Sequence, residues 1–132
     1  MKWKLVGEKR LWVYPLKYNR KYFTKNGSVV LVESIGDMLA LWETGIRNVI
    51  VTFGLFISPR IKQALMIINA QKIYIAFNND ANQAGNEGAT KAYRNLTKQF
   101  DIQQVEIALP SKNDFGSMTK DEILKWKSQL KT

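Results

Sequence analysis

The sequence predicts an α/β fold in which helices cover both faces of a mainly parallel, four-stranded sheet. Short, nearly continuous apolar segments, typical of strands buried on both faces, alternate with segments whose apolar residues recur at helical spacing. Such alternation indicates parallel strands joined by right-handed helical crossovers. Two of the predicted strands also end in oxygen-bearing side chains, and ligands bind at that edge of an open α/β sheet. We therefore expect a functional site there.

The first half of the alternation contains two predicted strands and two predicted helices. The first strand spans residues 29–33, and the helix that follows it ends at Gly45. The second strand spans residues 48–53. Ser58 is a favourable N-cap and Pro59 suits the first helical position, so the second helix is predicted to begin there.

The second half repeats the pattern. A third strand is predicted over residues 73–77, and a longer helix over residues 82–100. The fourth strand spans residues 105–109 and is stopped by a proline. Thr119 stands three positions before Glu122, which is the spacing of a capping box, and so a final helix is predicted to begin there.

The composition excludes several classes of function. The 132 residues fit one domain, and 45% of them are hydrophobic, as in a soluble globular protein. The sequence contains no cysteine and no histidine, which excludes disulfides, thiol nucleophiles, Ser-His-Asp catalysis and Cys- or His-ligated metals. Any metal must therefore be bound by oxygen ligands, which suit Mg²⁺, Ca²⁺ or Mn²⁺. We see neither a membrane span nor a secretory signal.

The net charge of +9 is concentrated at the N-terminus. Residues 1–28 contain eight Lys or Arg and a single acid, and aromatic residues are interleaved with these cations. Two short strands, residues 3–6 and 11–14, are predicted to form a hairpin there. Cations and aromatic faces together suit a polynucleotide, although a solvated segment with aromatics packed on the domain is the alternative. The predicted nucleic-acid contacts are Lys9, Arg10, Lys17, Arg20, Lys21 and Lys25.

Acidic and amide side chains follow three of the predicted strands. Glu33 ends the first strand and Asp37 follows it, Asn78 and Asp80 follow the third strand, and Asp114 lies after the fourth. If the first and third strands are neighbours, these oxygens can share one divalent ion and leave positions open for water and phosphate. The alternative is that they are helix caps and turn residues.

These motifs resemble the Toprim domain, which bacterial-type primases, type IA and II topoisomerases and some nucleases share. The segments that carry the resemblance are VESIGD at 32–37, GIRNVIV at 45–51, FG at 53–54, and FNND at 77–80 with Ala84-Gly85. Their order is most similar to that of replicative primases, particularly phage ones, and the resemblance runs from residue 28 to about residue 129. It implies a Rossmann-like Toprim domain at 28–132, preceded by a basic aromatic extension at 1–27.

The resemblance also implies roles for individual residues. Glu33 takes the place of the family's glutamate, an acid/base or metal-linked group, and Asp37 that of the aspartate in the same motif. Gly54 matches a glycine at which the backbone closely approaches a phosphate. The implied ligands of Mg²⁺ or Mn²⁺ are Glu33, Asn78, Asp80 and Asp114.

The chain departs from the family pattern at three places. Ser34 replaces a glycine, which a serine tolerates if its φ stays negative. Asn78 replaces the first aspartate of the D-x-D motif, so metal affinity should fall, or one ion should bind where two would. Residues 81–83 lengthen the segment after Asp80 by about two residues relative to the family. These departures leave activity of the isolated domain open.

The function predicted from the resemblance is Mg²⁺-dependent nucleotidyl transfer for RNA primer synthesis, in a phage-type DNA primase. The implied partners are a single-stranded DNA template, the RNA/DNA hybrid, ribonucleoside triphosphates and a replicative helicase, in the cytoplasm of the cell or of the phage host. The absence of a Cys-rich zinc module predicts a fragment, or one subunit of a split or minimal primase. The alternatives are a small Toprim nuclease and a non-catalytic nucleic-acid-binding module, whereas a topoisomerase needs a further tyrosine-bearing domain.

Overall fold

A computed structural model describes residues 22–23, 27–79 and 84–130 and confirms the four-stranded parallel sheet. The elements, in chain order, are β1 Ser28–Val32, α1 Ile35–Glu43, β2 Val49–Val51, α2 Pro59–Ile68, β3 Lys72–Ile75, α3 Ala84–Leu96, β4 Val105–Ile107, a 3₁₀ turn at Phe115–Ser117, and α4 Lys120–Ser128. The predicted N-terminal hairpin, the six predicted nucleic-acid contacts and Asp80 lie outside the described residues. None of the helices in the described ranges is long and apolar enough to cross a membrane.

The strands lie in the order β2-β1-β3-β4, and each neighbouring pair is parallel. The first and third strands are neighbours, with Leu31 paired to Ile75, so the condition set for a shared site at their ends is met. The observed strands end one or two residues earlier than predicted. Beyond β3, the N–H of Asn78 donates to the Glu33 carboxylate, and the N–H of Asn79 donates to the carbonyl of Asn113.

Alternate residues of β1 face opposite layers, as the period of a strand requires. Val29 and Leu31 belong to an apolar cluster with residues of α2 and α3, whereas Val30 and Val32 belong to a second cluster with residues of α1 and α4. Both faces of the sheet are thus covered, which explains why the strand sequences are nearly continuously apolar. Phe23 is fully buried in the first cluster, so the end of the predicted extension contributes to the core.

Side chains cap the helices that begin at the carboxyl edge of the sheet. The Ser58 hydroxyl accepts from the N–H of Ile61, with a proline as the next residue, and the predicted capping box of Thr119 and Glu122 is present. Ser34 caps α1 with φ at −135°, which confirms that a serine fits in place of the family glycine. Asp114 caps the 3₁₀ turn at Phe115–Ser117, which agrees with the alternative interpretation of this residue as a cap or turn residue.

Adjacent residues of α2 provide a test of the two-layer core. Leu65 is fully buried, whereas Met66 is 61% exposed, and alanine at either position retains a good helix former. We expect Leu65→Ala to lower the free energy of unfolding by about 2–5 kcal/mol, because it leaves a cavity between α2 and the sheet. Met66→Ala should change it by less than about 0.5 kcal/mol. Urea unfolding of both variants measures this, and equal losses would contradict the assigned face of α2.

Candidate active site

Glu33 and Asn78 meet at the carboxyl edge of the sheet. Oε1 of Glu33 accepts a hydrogen bond of 2.8 Å from the backbone N–H of Asn78. The contact follows from the pairing of β1 with β3, since Glu33 and Asn78 lie two and three positions beyond the last paired residues, Leu31 and Ile75. The bond holds the carboxylate at the point where the two central strands end, and it involves the backbone of Asn78 and not its side-chain amide.

This junction supplies the kind of ligands that a hard divalent cation takes. Glu33 offers carboxylate oxygen and Asn78 offers an amide oxygen, and both side chains are partly accessible to solvent. Across residues 22–23, 27–79 and 84–130, no three Asp or Glu side chains gather closely enough to form a metal cluster. The oxygen donors of Glu33 and Asn78 therefore fit a hard divalent cation such as Mg²⁺, and the two side chains together carry a single negative charge.

Asp37 lies beside this junction but faces inward. Its side chain is 3% exposed, Oδ2 accepts from the Ser34 hydroxyl at 2.9 Å, and Oδ1 accepts from the backbone N–H of Phe115 at 3.1 Å. The carboxylate thus joins the first turn of α1 to the loop that follows β4. Both oxygens have protein donors, as a buried carboxylate requires.

Burial raises the pKa of Asp37 above its ordinary value of 3.8. The hydrogen bond from Ser34 opposes this shift, the nearby charge of Asp114 adds to it, and the N–H groups of Phe115 and Gly116 again oppose it. The carboxylate is therefore held in place at an electrostatic cost.

The loop after β4 is bound to the ends of the other strands. Asp114 caps the 3₁₀ turn, since its Oδ1 accepts from the N–H of Ser117 at 2.8 Å and from its hydroxyl at 2.7 Å. Asn79, at the end of β3, donates its N–H to the carbonyl of Asn113 at 2.7 Å and its side-chain amide to Pro110 at 3.2 Å. The acidic loop therefore lies at the same edge as Glu33, although one oxygen of Asp114 is engaged within the turn.

Gly54 lies in the loop between β2 and α2, at the same edge. The buried Thr52 donates its N–H to the carbonyl of Val32 at 2.8 Å, and its hydroxyl contacts the carbonyls of Val32, at 3.1 Å, and Gly54. Phe53 and Gly54 have φ values of 57° and 139°, in the region that favours glycine. This loop is therefore bound to the residue that precedes Glu33.

The sequence predictions did not include Thr52, Asn79 or Ser117, which hold the loops of the site together. Each is a small polar residue within three positions of a predicted strand end or acidic residue, and this position was the available signal. Of the predicted site residues, Glu33 contacts Asn78, and Asp37 contacts the loop that contains Asp114. Gly54 lies in the loop that Thr52 binds to Val32.

The raised pKa of Asp37 predicts a pH-dependent contribution to stability. The pKa of Asp37 is higher in the folded protein than in the unfolded chain, so protonation of this carboxyl group favours folding. This stabilisation is fully present below pH 3.8 and is lost as the pH rises through the folded pKa. Asp37→Asn should therefore gain stability relative to the wild type as the pH rises from about 4 to about 7. Urea unfolding across this range measures the difference, with the exposed Asp121→Asn as the control for loss of a carboxyl group. A difference between wild type and Asp37→Asn that does not change with pH would contradict the assignment.

Comparison with known proteins places the chain in a family. The model of the Toprim domain family matches residues 27–106, which is more than half of the chain. The uncharacterized protein MG010 of Mycoplasma genitalium is 38% identical over 95 residues, which cover 71% of this chain and 43% of that protein. The chain thus spans less than half the length of this curated relative.

Solved structures of primases share the fold. The DNA primase domain of Pseudomonas aeruginosa superposes with a TM-score of 0.77 at 24% identity, over 97% of this chain and 41% of that one. The primase of Aquifex aeolicus, with its zinc-binding and RNA polymerase domains, gives a TM-score of 0.65 at 25% identity, over 94% and 28%. A DnaG primase catalytic domain bound to single-stranded DNA gives 0.72 at 20% identity, over 92% and 39%. The chain belongs to the Toprim domain family, and its fold is that of the primase catalytic cores.

Proposed function

We propose that this domain carries out the metal-dependent step of a phage-type DNA primase, the nucleotidyl transfer that synthesises an RNA primer. The observation that carries the proposal is the junction of Glu33 with Asn78 between two adjacent parallel strands. Membership of the Toprim family and the fold shared with primase catalytic cores support it.

In this proposal, Glu33 and Asn78 hold Mg²⁺ or Mn²⁺ together with Asp80 and Asp114. The bound cation would stabilise negative charge on the phosphates during transfer. The N–H of Asn78 fixes the Glu33 carboxylate, so this group stays oriented while substrates exchange. Glu33 and Asp37 are the proposed catalytic carboxylates, and Asp37 also holds the loop that carries Asp114.

The proposed substrates are ribonucleoside triphosphates, and the proposed partners are a single-stranded DNA template and the growing RNA/DNA hybrid. The backbone at Gly54 would approach a substrate phosphate, where a side chain is disfavoured by the φ of 139°. The template would follow the N-terminal cations Lys9, Arg10, Lys17, Arg20, Lys21 and Lys25. The proposal also includes a replicative helicase partner and a cytoplasmic location.

One observation favours a second candidate function, that of a nucleic-acid-binding Toprim module without catalysis. Asn78 stands where the family has a metal-binding aspartate, and the described residues contribute a single carboxylate beside it. A site of low charge binds a divalent ion more weakly. The two candidates differ in whether Glu33 is needed for chemistry.

Replacement of Glu33 by glutamine tests the catalytic proposal. The glutamine side chain keeps an oxygen that can accept from the N–H of Asn78, so the variant removes the charge and preserves the local geometry. We expect primer synthesis to fall by at least about 10²-fold, while binding of single-stranded DNA stays within about twofold of wild type. Glu43→Gln, at the exposed end of α1, is the matched control.

The readout is incorporation of labelled ribonucleotides on a single-stranded template, with DNA binding measured on the same preparations. Equal loss of synthesis and DNA binding would contradict the catalytic assignment of Glu33. Synthesis by neither wild type nor variant, with DNA binding intact, would favour the non-catalytic module. Metal-dependent cleavage of the template by the wild type would indicate the nuclease alternative.

Replacement of Asn78 by aspartate tests the metal site separately from activity. A second carboxylate beside Glu33 should tighten Mn²⁺ binding by about an order of magnitude, because ligand charge sets the affinity for hard cations. Titration calorimetry, or the loss of the free Mn²⁺ electron paramagnetic resonance signal, measures this. Asn95→Asp on α3 adds the same charge away from the site as the control. Equal Mn²⁺ affinity in Asn78→Asp and wild type would argue against residue 78 as a ligand.

A further inference from the structure

We propose that Phe56 is a stacking platform for an unpaired base of single-stranded nucleic acid bound at the carboxyl edge of the sheet. Phe56 lies in the loop between β2 and α2, and its side chain is 66% exposed. The inference rests on the proposed function and adds to it a specific recognition residue that lies outside the acidic site.

The residues on either side of Phe56 hold it in place. Ile57 is 1% exposed and belongs to the core, while Leu55 rests on the backbone of α3 at Gly88. A Cβ atom at Gly88 would come within 2.7 Å of Leu55 Cδ2, so the absence of a side chain there makes this close approach possible. Ile57 is buried and Leu55, although 37% exposed, packs on α3, so the phenyl ring projects from an anchored loop and would lose little conformational freedom on binding.

The loop begins next to the catalytic carboxylate. Thr52, at its start, is hydrogen-bonded to the carbonyl of Val32, the residue before Glu33. Phe53 then adopts a φ of 57°, which is uncommon for an aromatic residue and costs free energy. Backbone of this kind persists where the surrounding structure holds it and is concentrated at binding sites.

Basic residues follow Phe56 in the chain. Residues 44–79 contain no Asp or Glu; of their four cations, Arg60 and Lys62 follow Phe56, whereas Arg47 and Lys72 lie at the amino ends of β2 and β3. Arg60 is exposed in the first turn of α2, four positions after Phe56, and Lys62 follows it. This charge attracts a polyanion, and a base stacked on Phe56 would place its flanking phosphates near these two cations.

The position of Phe56 favours a nucleobase over an apolar protein segment. Of the other exposed apolar residues in this part of the chain, Leu55 is 37% exposed and packs on α3 at Gly88, whereas Met66 and Ile67 lie in the last turn of α2. The ten residues of this helix span about 15 Å, so Phe56 is separated from them by its length. One aromatic ring among cations is the arrangement with which proteins bind single-stranded nucleic acid.

Binding of a fluorescein-labelled single-stranded DNA oligonucleotide, followed by anisotropy, tests the inference. We expect Phe56→Ala to weaken binding about tenfold with an unchanged salt dependence, because stacking is lost while the phosphate contacts remain. Phe56→Tyr keeps the aromatic face and should bind within about twofold of wild type. Ile102→Ala, which truncates a side chain of 64% exposure near the amino edge of the sheet, should have no effect.

A second measurement uses oligonucleotides with one abasic position, moved along the strand. The wild type should bind more weakly to the oligonucleotide whose abasic site falls where a base would stack on Phe56. Phe56→Ala should bind that oligonucleotide as well as it binds the intact strand. Equal binding by wild type and Phe56→Ala would overturn the inference, as would equal losses at every abasic position in both proteins. A change in protein association without a change in DNA binding would also overturn it.

Failure of the proposed function has a different signature. Binding that depends on Phe56, together with primer synthesis that is absent or insensitive to Glu33→Gln, would support the stacking role and reject the catalytic one. No binding of single-stranded DNA by the wild type would overturn both.

Discussion

Parallel pairing of β1 with β3 is the constraint on which the rest of the site depends. The register that pairs Leu31 with Ile75 brings Glu33 to the N–H of Asn78, although these residues are far apart in the chain. Neither strand could hold this arrangement alone, because an isolated strand has no partner for its backbone groups and no apolar layer to cover its side chains. The apolar clusters above and below the sheet therefore stabilise the position of a carboxylate that contributes little to the core itself.

The loops at this edge are bound to one another by buried or partly buried polar groups. Asp37 joins α1 to the loop after β4, Asn79 joins the end of β3 to the same loop, and Thr52 joins the β2–α2 loop to β1. Hydrogen bonds of this kind add little net stability when formed, but removal of one partner leaves a buried group unsatisfied. They serve to fix the geometry of the edge, and Asp37 does so at the cost of an unfavourable electrostatic environment.

The asparagine at position 78 is compatible with this geometry. Its backbone N–H, and not its side chain, contacts Glu33, so replacement of the family's aspartate leaves the anchoring bond intact. What changes is the charge available to a cation. At the same edge of the sheet, the β2–α2 loop exposes Phe56, and two cations, Arg60 and Lys62, follow it in the chain. We propose that Glu33 and Asn78 act on the phosphates and that the β2–α2 loop recognises a base.

Periodicity and capping signals in the sequence were enough to determine the order of strands and helices along the chain and the caps of α2 and α4. They also determined the edge of the sheet at which Glu33 and Asn78 lie, because parallel strands end at the same edge. The strands were predicted to end one to two residues later than they do, and beyond β3 the backbone N–H groups of Asn78 and Asn79 donate to partners distant in the chain. Only the tertiary structure decided that Asp37 faces the Phe115 loop, that Asp114 caps a 3₁₀ turn and that Leu55 rests on Gly88 and leaves Phe56 exposed. The contacts of Asp37 and Leu55 join residues distant in the chain, so no local pattern specifies them, whereas the Asp114 cap is a local pattern that also suits a metal ligand.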